Sequence, residues 1–320
     1  MAIIIKAKTH YECKQVRGNM ETIGNVTLNY DYYTDGDIYS DGEEIENKLL
    51  EIAKDKKNID SLLYETNIFA EYYHFSPQRQ FIVEGMDIRK SDTVLEIGSG
   101  CGAVTGALAR KAKNVDCIEL SKRRSLINAH QNRENDNVQI YVANYENVQI
   151  EKKYDVITLI GVFEYAAHYI HSDNPYEDFL NNVLGKIKSK GKIYIAIENK
   201  FGAKYFAGCK EDHTGRVCDG IEGYQTNSKV RTFSYYEWIE LLKKCGCSNY
   251  RFMYPYPDYK FPTEIYSDDF LPTNSGDLKK ASDYSQKRRV FFDEENFIHN
   301  LYIEKEFRIF SNSFLIEITK

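Results

Sequence analysis

The chain has 320 residues, of which 42% are hydrophobic and 28% are charged, a balance typical of a folded globular protein rather than a disordered one. Its net charge of −6 argues against a general affinity for long nucleic acids or anionic membranes. The length predicts one large domain or two modest ones.

The sequence also carries information on location. No stretch reaches the roughly 18–20 apolar residues that span a bilayer, and the apolar run in the opening MAIIIKAK is too short for a signal peptide. The 7 cysteines have no regular spacing and do not suggest a disulfide framework. We therefore expect a cytoplasmic protein with reduced thiols. The oligomeric state is left open, with a homodimer as one option.

The first ninety residues mix strand and helix signals. Residues 25–39 alternate β-forming and polar residues around Asp35-Gly36, which is a hairpin-turn signal. Apolar spacing predicts helices over residues 43–57, 59–73 and 78–86. We predict that residues 1–90 form an α+β accessory or lid region.

From residue 91 onward, strand and helix signals alternate. Strands are expected over residues 93–97, 114–120, 138–143, 154–161 and 192–198, and helices over 103–113, 121–132 and 175–188. This order predicts an α/β fold with a Rossmann-like, doubly wound and mostly parallel sheet, which we assign to residues 91–320.

The alternation stops after residue 198. Two irregular insertions are expected, at about 199–232 and 261–300, and the first is long enough to suggest a functional role. Between them we predict a helix over 234–245 and a strand over 250–254. Residues 307–310 and 313–319 are expected to close the sheet as a C-terminal antiparallel hairpin.

A glycine-rich turn follows the strand predicted over residues 93–97. The sequence VLEIGSGCG ends a strand at Glu96, and three glycines then turn the chain into a helix. Backbone without side chains at a helix N-terminus is a general nucleotide cradle. The candidate cofactor contacts in this turn are Glu96, Gly98, Ser99, Gly100 and Gly102.

Glu96 distinguishes between two classes of cofactor. An acid at this strand end would repel the pyrophosphate of NAD, which makes a dehydrogenase the weaker alternative. S-adenosylmethionine has no phosphate, and its methionine ammonium can be oriented by an acid. The turn therefore favours S-adenosylmethionine.

Further cofactor candidates end the neighbouring strands. Glu119 lies about 20 residues after Glu96, the place and spacing of a carboxylate that accepts both ribose hydroxyls. Asn144 follows the third strand and could bond the adenine amino group, with Tyr145 beside the ring. The remaining candidates at this edge of the sheet are Leu120 and Gly161.

Taken in order, the pieces VLEIGSGCG, CIELS, VANY, YDVITLIGVFEY and KSKGKIYIAIEN resemble class I S-adenosylmethionine-dependent methyltransferases. The resemblance covers residues 92 to about 260. It implies cofactor contacts from Glu96, Gly98, Gly100, Glu119 and Asn144. Asn144 departs from the Asp that many members have, although its carbonyl oxygen can still accept the adenine amino proton.

A narrower resemblance concerns YHFSPQR (residues 73–79), ENKFG (198–202) and CKEDHTG (209–215). These segments are similar to methyltransferases associated with bacterial surface-polysaccharide gene sets and glycosyltransferases. That resemblance implies a small-molecule, sugar or glycan-linked acceptor, and makes nucleic acid an unlikely partner. The alternatives are an RNA-modifying methyltransferase and a non-catalytic, cofactor-binding regulatory protein.

The acceptor side has a candidate general base in His213. An imidazole titrates near pH 6.5 and can take a proton from an acceptor hydroxyl, with Asp212 or Glu211 to orient it. Candidate substrate contacts are Tyr73, His74, Arg79, Glu164, Glu198 and Asn199. We expect no metal, because Cys209, His213 and Cys218 match no recognised zinc spacing and lack a fourth ligand.

Overall fold

The computed structural model describes residues 20–34, 42–55, 59–224, 228–272, 283 and 288–320. The Asp35-Gly36 turn lies outside the described residues. The strands in the described part of the chain are β1 (Met20–Ile23), β2 (Val26–Asn29), β3 (Thr93–Ile97), β4 (Asn114–Glu119), β5 (Val138–Val142), β6 (Tyr154–Ile160), β7 (Ile187–Glu198), β8 (Tyr250–Tyr256), β9 (Glu264–Ser267) and β10 (Ser313–Thr319).

Helices cover both faces of the sheet that these strands form. The α-helices are α1 (Glu43–Asp55), α2 (Ile59–Glu65), α3 (Phe69–Phe75), α4 (Thr105–Lys111), α5 (Lys122–Gln131), α6 (Ala166–Tyr169), α7 (Pro175–Lys186), α8 (Ala203–Phe206), α9 (Tyr235–Lys244), α10 (Glu294–Ile303) and α11 (Phe307–Phe310). Short 3-10 helices cover Pro77–Gly85, Tyr145–Asn147 and Phe163–Tyr165.

The strand order is β1-β2-β5-β4-β3-β6-β7-β10-β8-β9 in one sheet. The strands from β2 through β7 in this order pair in parallel, and the order reverses beside β3. Most residues of the five core strands are buried, because helices cover both faces of the sheet. The Rossmann-like, mostly parallel sheet is therefore confirmed.

The C-terminal end of the sheet is antiparallel. Strand β10 lies between β7 and β8 and runs opposite to both, which confirms the strand at 313–319. Its expected hairpin partner is wrong, because residues 307–310 form the short helix α11. Phe307 is fully buried and packs edge-on against Tyr254. A short apolar run of this kind does not distinguish strand from helix.

The region before residue 90 contains both strands and helices, as predicted, and continues the sheet. Strands β1 and β2 form a hairpin, and β2 pairs in parallel with β5. The single helix expected over 59–73 is instead α2 and α3. The hydroxyl of Thr66 accepts a hydrogen bond from the backbone N–H of Ile68 at the break between them. The assignment of residues 1–90 as a separate domain stays a prediction.

The expected insertions contain more regular structure than the sequence indicated. Strand β9 and most of α10 lie within residues 261–300, and α8 lies within 199–232. Between them, α9 begins with a capping box in which Ser234 and Glu237 bond each other's backbone N–H groups. This confirms Ser234 as the N-cap.

Candidate functional site

A large cavity opens at the carboxyl ends of β3, β4, β5 and β6, where ligands bind in open α/β sheets. With its open mouth it encloses about 1230 Å³. Nine of the predicted cofactor residues line it: Glu96, Gly98, Ser99, Gly100, Glu119, Leu120, Asn144, Tyr145 and Gly161. Because four consecutive elements of the chain supply these residues, the sheet itself brings the motif pieces together.

The glycine turn contains three glycines with positive φ, Gly98, Gly100 and Gly102, and two of them pack closely against other side chains. Gly98 has φ +71°, and a Cβ there would lie 2.4 Å from Cγ2 of Val162. Gly102 is the exception among the predicted cofactor contacts, because it does not line the cavity. A Cβ at Gly102 would lie 2.3 Å from Oδ1 of Asn128, so this glycine lets the turn pack against α5.

Glu119 presents a fixed carboxylate at the end of β4. One of its oxygens accepts a hydrogen bond from the backbone N–H of Gly100 at 2.8 Å, and the other accepts one from Ser121 at 2.9 Å. Two backbone N–H groups therefore fix the carboxylate, which lines the cavity at the end of β4. Its contact with a ribose stays a prediction.

Glu96 is buried at the floor of the cavity, with 4% of its surface exposed. Thr105 donates to its Oε2 at 2.7 Å, and the thiol of Cys117 lies 3.4 Å from the same oxygen. Burial raises the pKa of Glu96 to about 7, although these hydrogen bonds oppose the shift. A cationic group bound in the cavity would favour the ionised carboxylate.

Asn144 and Tyr145 form the wall beyond β5. Oδ1 of Asn144 accepts from the backbone N–H of Glu146 at 3.3 Å, which caps the short 3-10 helix. The hydroxyl of Tyr145 donates to Asn182 at 2.9 Å, and its ring packs edge-on against Phe179. Both residues are held by the protein before any ligand binds.

The N-terminal region covers the cavity with Tyr73, His74 and Arg79. The guanidinium of Arg79 lies 4.1 Å above the ring of Tyr73, and its Nη1 donates to the backbone carbonyl of Lys260 at 3.2 Å. The ring of Tyr73 also packs edge-on against Phe261. The lid is therefore tied to the segment that follows β8.

Behind the cavity wall lies a group of ionisable side chains that we call the buried charge cluster. Its members are Glu164, Glu198, Lys204, Asp212, His213 and Lys260. None of these six is among the residues that line the cavity. Tyr165 does line it, and its hydroxyl lies 3.1 Å from Nδ1 of His213. A single side chain thus separates the cluster from the cavity.

The acid that contacts His213 is Glu198 rather than Asp212. Nε2 of His213 lies 3.3 Å from Oε2 of Glu198, whereas Asp212 binds Lys204 and Lys260, each at 2.8 Å. Lys260 also contacts the other oxygen of Glu198. The expected pairing of His213 with Asp212 is therefore wrong, because Asp212 forms ion pairs with Lys204 and Lys260 instead.

The charges of the cluster shift its pKa values. Burial would lower the pKa of His213, but Glu198 and its hydrogen bond raise it to about 9. Burial would raise the pKa of Glu198, but Lys260 and His213 hold it well below the usual range. An imidazolium cannot accept a proton, so this arrangement does not supply the general base that the sequence predicted.

Two of the predicted substrate contacts differ in their surroundings. Glu164 is 1% exposed, and its Oε2 has no hydrogen-bond partner among the described residues. Burial raises the pKa of Glu164 to about 8, against the opposing effect of His213. The side-chain amide of Asn199 instead donates to the backbone carbonyls of Ile309 and Ser311, both at 2.7 Å. Asn199 therefore holds the C-terminal segment and is not placed to bind a substrate.

Sequence reasoning missed Tyr165, Lys204 and Lys260. The sequence did contain a signal for Lys260. Asp258 and Lys260 are the only charged residues within 252–263, in a run otherwise rich in aromatic residues and prolines. An isolated lysine in an apolar segment suggests a buried ion pair.

Comparison with known proteins adds a family match. Residues 77–204 match the model of the ribosomal RNA adenine dimethylase family. The matched segment contains the cavity-lining turn and strands β3 to β7, and it ends before Asp212, His213 and Lys260. It therefore includes all of the residues that line the cavity except Tyr73 and His74, and it leaves out part of the buried charge cluster.

Individual relatives also match only part of this chain. A mitochondrial ribosomal RNA small subunit methyltransferase of Arabidopsis thaliana is 55% identical over 42 residues, 13% of this chain and 11% of that protein. YrhH of Bacillus subtilis strain 168, named as a methyltransferase, is 26% identical over 138 residues, 41% of this chain and 73% of that one.

Among solved structures, a Haemonchus contortus phosphoethanolamine N-methyltransferase has 14% identity and a TM-score of 0.47, covering 89% of this chain and 51% of that one. This chain thus spans about half of that structure and about a tenth of the Arabidopsis protein. The family match and the strand order agree on a class I methyltransferase fold, and the resemblance is confirmed at that level. Within the described residues, no helix has the length and apolar character needed to cross a membrane.

Proposed function

We propose that the chain transfers a methyl group from S-adenosylmethionine to a small-molecule or sugar/glycan-linked acceptor. The observation that carries the cofactor assignment is the clamped carboxylate of Glu119, which faces the cavity across from the glycine turn. Glu96 lies buried below the same turn. The carboxylate of Glu119 can bind the ribose hydroxyls, and that of Glu96 can bind the ammonium group. Both carboxylates would repel a pyrophosphate.

The methyl transfer itself requires little chemical catalysis by the protein. The sulfonium supplies the leaving group, so the chain mainly holds the acceptor atom about 3 Å from the methyl carbon in line with the breaking bond, and excludes water. Gly161 and Tyr165 lie at the cavity wall after β6, and Tyr165 contacts the buried charge cluster through His213. We place the acceptor between this wall and the lid residues Tyr73 and Arg79.

The small acceptor is supported by the enclosed, acidic character of this side. Glu164 and Glu198 are buried next to the wall, and the chain as a whole is acidic. The net negative charge of the chain disfavours a phosphate backbone, and carboxylate oxygens accept hydrogen bonds from hydroxyl groups. The resemblance to polysaccharide-associated methyltransferases points to the same class of acceptor.

An RNA acceptor is the second candidate. The match to the ribosomal RNA adenine dimethylase family and the Arabidopsis relative favour it. Both observations concern segments that are short relative to the chain, and the family match stops before the acceptor-side residues Asp212 and Lys260. Between the two candidates, the acceptor-side geometry favours the small molecule.

The first experiment is titration calorimetry of the full chain with S-adenosylhomocysteine, with NAD as the control. Binding of S-adenosylhomocysteine alone is the expected result, and its absence would contradict the cofactor assignment. Transfer of a labelled methyl group is then measured to nucleotide sugars and glycans in parallel with ribosomal and transfer RNA. Label in RNA alone would favour the second candidate. Binding without transfer to any acceptor would favour a non-catalytic regulatory protein.

A further inference from the structure

We propose that Glu164, Glu198 and His213 bind a divalent first-row metal ion such as Mn²⁺. One donor atom from each residue lies within 4.8 Å of the other two. Two carboxylates and one imidazole form a mixed oxygen and nitrogen set that suits Mn²⁺, Fe²⁺ or Zn²⁺. The three residues come from the ends of β6 and β7 and from the first insertion, so only the folded chain assembles them.

The distance between His213 and Glu198 fits two ligands of one ion. Nε2 of His213 and Oε2 of Glu198 are 3.3 Å apart. Two donors that each lie about 2.1 Å from a metal are roughly 3.0 Å apart at a right angle and roughly 3.4 Å apart at a tetrahedral angle. A metal ion therefore fits between these two atoms with little displacement of either side chain.

The third ligand has a free coordinating atom. Oε2 of Glu164 is buried and has no hydrogen-bond partner among the described residues, and a buried acceptor without a partner is costly. No hydrogen bond on this oxygen opposes its movement toward the other two ligands. A bound cation would give it the partner that the surrounding protein does not supply.

The surroundings of the ligands fit a metal centre. Residues that hold a metal are commonly oriented by hydrogen bonds on their far side. Metal binding would release the proton from Nε2 of His213. Nδ1 faces the hydroxyl of Tyr165, so the neutral imidazole can donate there and present Nε2 to the ion. Lys260 contacts the oxygen of Glu198 that faces away from His213, and its charge is balanced by Asp212.

The proposed ion would lie one side chain from the cavity, behind Tyr165. Tyr165 lies between the ion and the cavity, so the ion would act on the cavity wall rather than on the acceptor itself. It would fix the imidazole of His213 and, through the hydrogen bond at Nδ1, the hydroxyl of Tyr165. If the acceptor assignment above is correct, on which this step rests, the ion thereby positions the wall against which the acceptor binds.

The test is Mn²⁺ binding to the full chain, freed of metal with a chelator, followed through the electron paramagnetic resonance signal of free Mn²⁺. We expect one Mn²⁺ per chain, with affinity reduced at least tenfold in Glu164→Gln and in His213→Asn. The matched control is Glu84→Gln, a carboxylate that is 65% exposed, which should bind as the wild type does. Binding of S-adenosylhomocysteine is measured in the same samples.

A wild-type chain that binds S-adenosylhomocysteine but neither Mn²⁺ nor Zn²⁺ would overturn the metal site and leave the proposed function in place. Mn²⁺ binding that is unchanged in both variants would overturn the location. A chain that binds Mn²⁺ at this site but no S-adenosylhomocysteine would support the metal site and contradict the proposed cofactor.

Discussion

The hydroxyl of Tyr165 lies 3.1 Å from Nδ1 of His213, and this contact joins the wall of the cavity to the buried charge cluster. Tyr165 follows β6 directly, whereas His213 belongs to the insertion after β7. The acceptor side of the site is therefore built from two segments that follow neighbouring strands of the sheet, and the contact allows one to position the other.

Tyr165→Phe removes this hydrogen bond while keeping the ring. A lost bond that leaves a buried partner unsatisfied costs about 1–3 kcal/mol, so we expect methyl transfer to slow by roughly fivefold to a hundredfold. Affinity for S-adenosylhomocysteine should stay near the wild-type value, because Tyr165 carries none of the predicted cofactor bonds. Turnover and calorimetry measure the two effects, and unchanged turnover would remove Tyr165 from the acceptor side.

Glu119→Ala removes the clamped carboxylate at the end of β4. Charge-assisted hydrogen bonds to a ribose are worth about 1–3 kcal/mol, so affinity for S-adenosylhomocysteine should fall by that amount in a calorimetric titration. Glu51→Ala is the matched control, since this carboxylate is 72% exposed and distant in the chain. Equal affinity in both variants would mean that the ribose lies elsewhere.

The pKa of Glu96, raised to about 7 by burial, predicts a pH-dependent affinity for the cofactor. Below that pH the carboxyl holds a proton in the free protein, and an ammonium ligand must displace it. Affinity for S-adenosylhomocysteine should therefore rise by about tenfold from pH 6 to pH 8. In Glu96→Gln the affinity should be weaker and flat over this range. A wild-type profile that is equally flat would show that Glu96 does not titrate on binding.

Lys260→Met tests the stability of the buried charge cluster. Removing one partner of a buried ion pair leaves uncompensated charge on Glu198 and Asp212, which costs about 3–5 kcal/mol of the free energy of unfolding. Urea denaturation measures this loss. The double variant Lys260→Met with Glu198→Gln should lose less than the sum of the two single variants, because the pair is removed together. Additive losses would indicate that Lys260 and Glu198 do not interact.

Much of the fold could be predicted from local patterns. Strand β3 was placed with its observed bounds, because a short apolar run between a polar segment and a glycine turn has few other solutions. The run at 307–310 was assigned wrongly because four residues do not define a period. Strand β9 was missed since its burial depends on β8, which lies earlier in the chain.

The candidate site also has one part that local sequence predicts and another part that it does not. Its cofactor side follows from spacing within one stretch of chain, so Glu96, Gly98 and Glu119 could be placed from the sequence. On the acceptor side, the hydrogen-bond and ion-pair partners of each side chain are set by the folded structure rather than by local sequence. The sequence around Asp212 does not indicate that it pairs with Lys204 and Lys260 rather than with His213.

The bond from Arg79 to the backbone of Lys260 has a consequence for the kinetics of the reaction. The lid over the cofactor and the segment beside the acceptor are joined, so moving the first far enough to admit a cofactor also disturbs the second. We expect an ordered mechanism in which the cofactor binds first and its demethylated product leaves last. Product-inhibition patterns would reveal it, with S-adenosylhomocysteine competing against S-adenosylmethionine alone. Competition against both substrates would contradict that order.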